Sequence, residues 1–155
     1  MGRYIDDILQ PGEKLLYSTT LHWVIYSRAL FAWILAAACL IATKWTVADQ
    51  ARLLLMAIAV IVALVAIYLG FRAWFRRWTM ETDVTNLRVV HKEGFIRRET
   101  FEMNHDKVES VDVDQTILGR LLSYGDVTIR GVGEGEKTIQ TIAHPLQFRN
   151  TITAR

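Results

Sequence analysis

Four histidines, His22, His91, His105 and His144, and one cysteine, Cys39, are the side chains that could carry metal or nucleophilic chemistry in this sequence. The histidines are scattered without ligand spacing, and none stands in an HExxH pattern. A single thiol builds neither an intrachain disulfide nor a thiolate metal site. Serine and threonine occur without a nucleophile-elbow sequence, so no motif points to hydrolysis. Asp112 and Asp114 form a DxD pair of the kind that can hold a hard cation. On a strand, however, residues two apart share one face, here opposite Val111 and Val113, and a solvated strand face is expected. Gly131, Gly133 and Gly135 have the look of a phosphate cradle, but Glu134 and Glu136 repel phosphate and no helix follows, so a hairpin loop is expected. The expectation is a non-enzymatic protein that needs no cofactor and no metal.

Cations supply the remaining chemistry. Arg72, Arg76 and Arg77 in the stretch RAWFRRW form a dense cluster that sets topology and attracts anionic lipid headgroups, at about 1 kcal/mol per residue near a membrane surface. Lys92, Arg97, Arg98, Lys107 and Arg120 are candidates for an interaction patch meeting lipid headgroups. The acids among them, Glu93, Glu99 and Glu102, equally describe an ordinary mixed surface. Nucleic acid is set aside as a partner: residues 79–155 carry 10 Lys/Arg against 12 Asp/Glu, and tracking a phosphate backbone requires a cationic surplus.

The elements that position these residues fall into two kinds. Hydrophobic residues make up 52% of the chain, and all five tryptophans precede residue 79. Residues 53–71 are 19 consecutive uncharged, mostly aliphatic positions between Arg52 and Arg72, which stand about 30 Å apart on a helix and so match a bilayer core. Ala29 to Thr43 is shorter, about 24 Å between Arg28 and Lys44, and spans if those two cations snorkel. Trp23, Trp45, Trp74 and Trp78 fall at headgroup levels. The short stretch between the spans forces an antiparallel return, and the arginines after the second span place both termini in the cytoplasm. Ala36, Ala37, Ala38 and Cys39 loosely resemble a lipoprotein cleavage site, but a long, acid-containing lead and an apolar run continuing past the cysteine argue against lipidation.

From Thr79 the period changes to two: Met80, Thr82 and Val84, then Val111 and Val113, then Val127 and Ile129 alternate with polar neighbours. Strands are expected near 79–85, 87–92, 95–103, 108–115, 126–132 and 137–142, with Leu15 to Leu21 as a further candidate. Gly119 interrupts a short helical turn over Ile117 to Ser123, whose Ile117, Leu118, Leu121 and Leu122 are expected to cover a barrel mouth. Pro145 at a first helical position and Phe148 with Ile152 at i, i+4 predict a short terminal helix.

The run VESVDVDQTILGRLLSYGDVTI, Val108 to Ile129, resembles the signature of the bacterial membrane-associated pleckstrin-homology-like family, its YdbS-like or bPH2 group. Thr85 to Arg98, TNLRVVHKEGFIRR, is similar to that family's hairpin around Gly94, and Leu9 to Leu16, LQPGEKLL, to its opening segment. Ser123 stands where the family commonly has glycine. The resemblance implies a seven-stranded pleckstrin-homology-like barrel closed by a C-terminal helix, with Gly94, Gly119, Arg120, Tyr124 and Gly125 as its fold motif. The expected molecule is therefore an α+β membrane protein of the bacterial inner membrane: a cytoplasmic segment 1–28, a transmembrane helical hairpin 29–72 (about 29–45 and 53–71), and a cytoplasmic domain 79–155. Arg28, Lys44, Arg52, Arg72, Trp74, Arg76, Arg77 and Trp78 would line the membrane interfaces. Its partners would be the bilayer and a protein or membrane complex, with anionic lipid as the alternative.

Overall fold

The computed structural model describes residues 4–95, 98–133 and 135–154. It divides into two compact units, Met1–His22 with Arg76–Arg155, and Trp23–Phe75.

In the first unit, helix α1 (Tyr4–Ile8) and strand β1 (Leu15–Thr19) precede the apolar helices. Strands β2 (Glu81–Thr85), β3 (Arg88–Glu93), β4 (Glu99–Asn104), β5 (Val108–Asp114), β6 (Tyr124–Gly131) and β7 (Gly135–Ala143) follow, with α4 (Ile117–Leu122) between β5 and β6 and α5 (Pro145–Thr153) at the end. The candidate strand at Leu15 is thus real, and it lies antiparallel to β2, from which it is separated in sequence by both apolar helices. Among the described residues seven strands form two antiparallel sheets, ordered β1-β2-β3-β4 and β5-β6-β7.

The expected closed barrel does not form. On one side the sheets are stitched together: Leu21 bridges to Ile142, the His22 amide donates to the Thr141 carbonyl at 2.8 Å, and the Ala143 amide to Thr20 at 3.1 Å. On the other side β4 and β5 are joined by a single 3-10 turn, His105–Lys107, and do not pair. The corner's backbone groups find other partners, His105 N–H donating to Leu87 O and Val132 N–H to Lys107 O, so nothing drives a ladder across that gap.

Burial follows the strand period where one face is packed. Gly125, Val127 and Ile129 alternate as the buried positions of β6, while central β2 is buried at four consecutive residues. Val84, Val89, Met103, Val127, Ile129, Ile139 and Ile142 form the core, capped by Phe148 and Ile152 of α5 at the expected i, i+4 spacing.

In the second unit, α2 (Ser27–Ala42) follows a 3-10 turn, and α3 (Asp49–Thr79) runs for 31 residues, about 46 Å. The helix runs on past the expected span over 53–71, through RAWFRRW, which contains no Gly or Pro, as far as Thr79, where the period-two pattern begins. Phe71 also packs along the helix on Trp74 and Phe75 at i+3 and i+4. Trp23–Ala42 and Asp49–Thr79 are both long and apolar enough to cross a membrane. They pack through small residues. Ala29 and Ala36 on α2, with Thr43 beyond its end, and Ala59 and Ala66 on α3 are buried at spacings of seven, which keeps one narrow seam facing the partner helix. Around that seam Leu30, Phe31, Leu54, Leu64, Ile67 and Phe71 are each more than half exposed.

Candidate functional site

Two features of the first unit are built with unusual care. The first is a polar clamp that the sequence reading did not contain. The Glu13 side chain is fully buried and Arg88 nearly so, at 13% exposure. Arg88 Nε donates to Glu13 Oε1 and Nη2 to Glu13 Oε2, both at 3.1 Å, while Nη1 reaches Glu102 at 2.8 Å and Nη2 the Ile8 carbonyl at 2.9 Å. The Thr85 hydroxyl donates to Glu13 Oε1 at 2.7 Å and accepts from the amides of Leu87 and Arg88, shaping the β2–β3 turn. Burial pushes the Glu13 carboxyl up, but the Gln10 amide, the Thr85 hydroxyl and the Arg88 guanidinium together hold it below the usual carboxylate range. The only hint in the sequence was that both residues lie in stretches with a family resemblance, PGE and TNLR.

The second is α4 with its surroundings. Thr116 caps the helix by accepting from the Gly119 amide at 3.0 Å. The Gln115 amide donates to the carbonyls of Gly119 and Tyr124 at 3.3 and 2.9 Å, tying both ends together. Glycine is required twice here: a Cβ on Gly119 would stand 2.7 Å from Tyr124 O, and one on Gly125 2.6 Å from Asp114 O. Ser123 ends the helix in the left-handed region, φ 59°, where glycine is favoured. Tyr124 stacks on His22 at 5.2 Å. The expectation that the apolar side chains of this element cover a barrel mouth is corrected, since Ile117 is 88% exposed, Leu118 61% and Leu121 78%. With the mouth capped by Phe148 and Ile152 instead, α4 turns its apolar face to the outside.

Between α4 and α5 lies a groove of about 500 Å³, floored by Val113 and Pro145 and lined by Arg120, Arg149, His144, Gln115, Gln147 and Ser123. Among the described residues its lining offers guanidinium, amide, imidazole and hydroxyl groups and no carboxylate, which suits an anion and not a cation. No cluster of three or more His, Cys, Asp or Glu with metal-binding spacing occurs among the described residues.

The proposed basic patch is spread over several elements. Lys92 on β3 sits over the Tyr4 ring at 4.9 Å, Arg98 precedes β4, Lys107 belongs to the 3-10 turn, and Arg97 lies outside the described residues. Of the four that are described, Arg120 alone lines the groove. Gly94, at φ 91°, makes the β3–β4 turn. Of the interface candidates, Arg28, Lys44, Arg52, Arg72, Trp74 and Arg77 are exposed; Arg76 pairs with Glu93 at 3.1 Å, and Trp78 packs on Phe95.

A family model described as bacterial PH domain matches residues 18–155. No curated protein and no solved structure matches the chain.

Proposed function

The chain belongs to the bacterial PH domain family, and from that membership we propose a non-enzymatic module, anchored in the bacterial inner membrane by α2 and α3, whose folded head docks a protein partner or serves as an accessory subunit of a membrane complex. The observation that carries this reading is the apolar surface of the helical unit, exposed on every side except the small-residue seam. Such a surface is untenable in water and matched to lipid tails.

Topology has separate support. β1 and β2 are hydrogen-bonded neighbours, Thr19 opposite Thr82, so the chain leaves and re-enters one folded unit at adjacent points. An insertion between them that crosses a bilayer must cross it an even number of times, and two spans do so. Both termini then share a side, and the arginines at 72, 76 and 77 favour the cytoplasm. Partner docking has its support in the outer edges of β4 and β5, which pair with no strand among the described residues and can accept an extended segment of another chain.

Alkaline extraction of bacterial membranes should leave the protein in the pellet. A cysteine placed at exposed Val47, in a Cys39→Ser background, should react with an impermeant maleimide from the periplasmic side, while tags at both ends stay protected. Release into the supernatant would end the anchoring reading. A photo-crosslinker at Thr100 should give one discrete adduct, and a smear identical to that from Gln140 would remove the docking role. A second reading, anionic-lipid recognition, is favoured by the groove between α4 and α5.

A further inference from the structure

The groove and the exposed face of α4 adjoin, and Arg120 belongs to both. On the helix, Ile117, Leu118 and Leu121 fall within one side, Gly119 points inward against the Tyr124 carbonyl, and Arg120 flanks the apolar side toward the groove. A loose apolar loop would need no explanation. This one is held in place by a Thr116 cap, two Gln115 hydrogen bonds and two glycines that no other residue can replace without displacing backbone. The sequence thus spends its most specific local chemistry on presenting three large apolar side chains to the exterior.

Resting on the anchored reading above, we propose that α4 is a bilayer-docking tip: Ile117, Leu118 and Leu121 enter the interfacial layer of the membrane, and Arg120 and Arg149, with His144, hold the phosphate of an anionic lipid headgroup in the adjacent groove. Charge and area select this occupant. The groove lining is cationic and polar without a carboxylate, which complements a phosphodiester and takes advantage of bidentate guanidinium geometry. Three side chains on a six-residue helix fall far short of the roughly 800 Å² per partner that a stable protein interface uses, whereas a membrane needs only a few apolar anchors beside cationic groups. A second copy docked symmetrically here would set Arg120 and Arg149 against their own counterparts.

The test uses the full chain in nanodiscs carrying one copy each, with Cys39→Ser and a single Leu121→Cys labelled with an environment-sensitive fluorophore. In discs mixing phosphatidylglycerol with phosphatidylcholine the label should shift to the blue and be quenched by nitroxide lipids; in phosphatidylcholine alone it should not. A label at Gln140 should stay aqueous in both. Arg120→Gln with Arg149→Gln should abolish the shift and the quenching at position 121 while amide hydrogen-exchange protection of β2–β7 shows the head still folded. An aqueous label in both discs, or quenching undiminished in the double variant, would overturn the proposal. A shift seen only when discs carry two copies would hand α4 to a neighbouring chain and equally overturn it. A chain that fails to co-elute with discs at all would bring down the anchored reading as well, which separates the two failures.

Discussion

The two units of this protein are specified in opposite ways. In the helical unit the information is local: composition sets the two apolar helices, and a repeat of small residues seven apart, Ala29, Ala36, Thr43 and Ala59, Ala66, sets the seam between them. In the folded head the decisive contacts are remote. Glu13 meets Arg88 across 75 positions, β1 pairs with β2 across both helices, and His22 donates to Thr141. A unit coded by composition tolerates many substitutions as long as the pattern stays apolar; a unit coded by a few distant polar contacts should fail at single residues.

That contrast is sharpest at the clamp. Glu13→Ala should cost the head about 3–5 kcal/mol, because it leaves the Arg88 guanidinium nearly buried without its main partner. Thermal melts in detergent, followed by amide hydrogen exchange of the head's strands and by the 222 nm signal for the helices, should show the first transition falling and the second unmoved. Parallel loss of both would erase the distinction between the units.

Acid should separate them next. His91 is buried against Thr82, its Nδ1 2.8 Å from the hydroxyl. Burial, with Lys137 and Arg76 adding to it and Glu93 opposing, lowers its pKa to about 4. The folded head therefore resists protonation that the unfolded chain accepts near pH 6.5, so stability present above pH 6.5 is lost as pH falls toward 4, by about 3 kcal/mol. Glu13 acts in the same direction at lower pH: its depressed carboxyl contributes stability above its unfolded pKa that disappears as pH falls through the folded value. His91→Gln should flatten the upper part of the head's melting profile, and an unchanged slope between pH 6.5 and 4 would assign that loss elsewhere.

In the helical unit, Ala36→Leu overpacks the seam and should cost about 1–3 kcal/mol in helix unfolding by sodium dodecyl sulfate, with hydrogen-exchange protection of the head's strands intact. The same exchange at exposed Ala37 should do almost nothing; equal effects at both positions would deny the seam. The smallest effect is a gain. Ser123→Gly relieves a left-handed backbone position, φ 59°, and should raise head stability by about 0.5–1 kcal/mol.

What could be read from the sequence follows the same division. The two apolar helices, the alternating strands, the terminal helix with Phe148 and Ile152, and the family resemblance of Val108 to Ile129 were all legible, because each is a local pattern; the family is the one whose model matches residues 18–155. The Glu13–Arg88 clamp was not, because nothing near either residue names its partner. The outward face of α4 was misread because Ile, Leu and Leu at helical spacing look the same whether the neighbouring surface is protein or absent. The open corner at His105–Lys107 was hidden for a related reason: whether two successive strands pair depends on where their backbone groups find other partners, here the Leu87 carbonyl that accepts from His105 and the Val132 amide that donates to Lys107.

The position of the helices between β1 and β2 has a consequence for biosynthesis. The strand that emerges early from the ribosome has no hydrogen-bonding neighbour until residues 81–85 appear, about 3–12 s later at roughly 5–20 residues per second. If α2 and α3 span the membrane, as proposed above, both apolar segments must be delivered to the translocation machinery during that interval. Completion of the first sheet then reports that delivery has happened, and a nascent chain stalled before residue 81 should leave Leu15–Thr19 open to protease, whereas one stalled well beyond Asn104 should protect it.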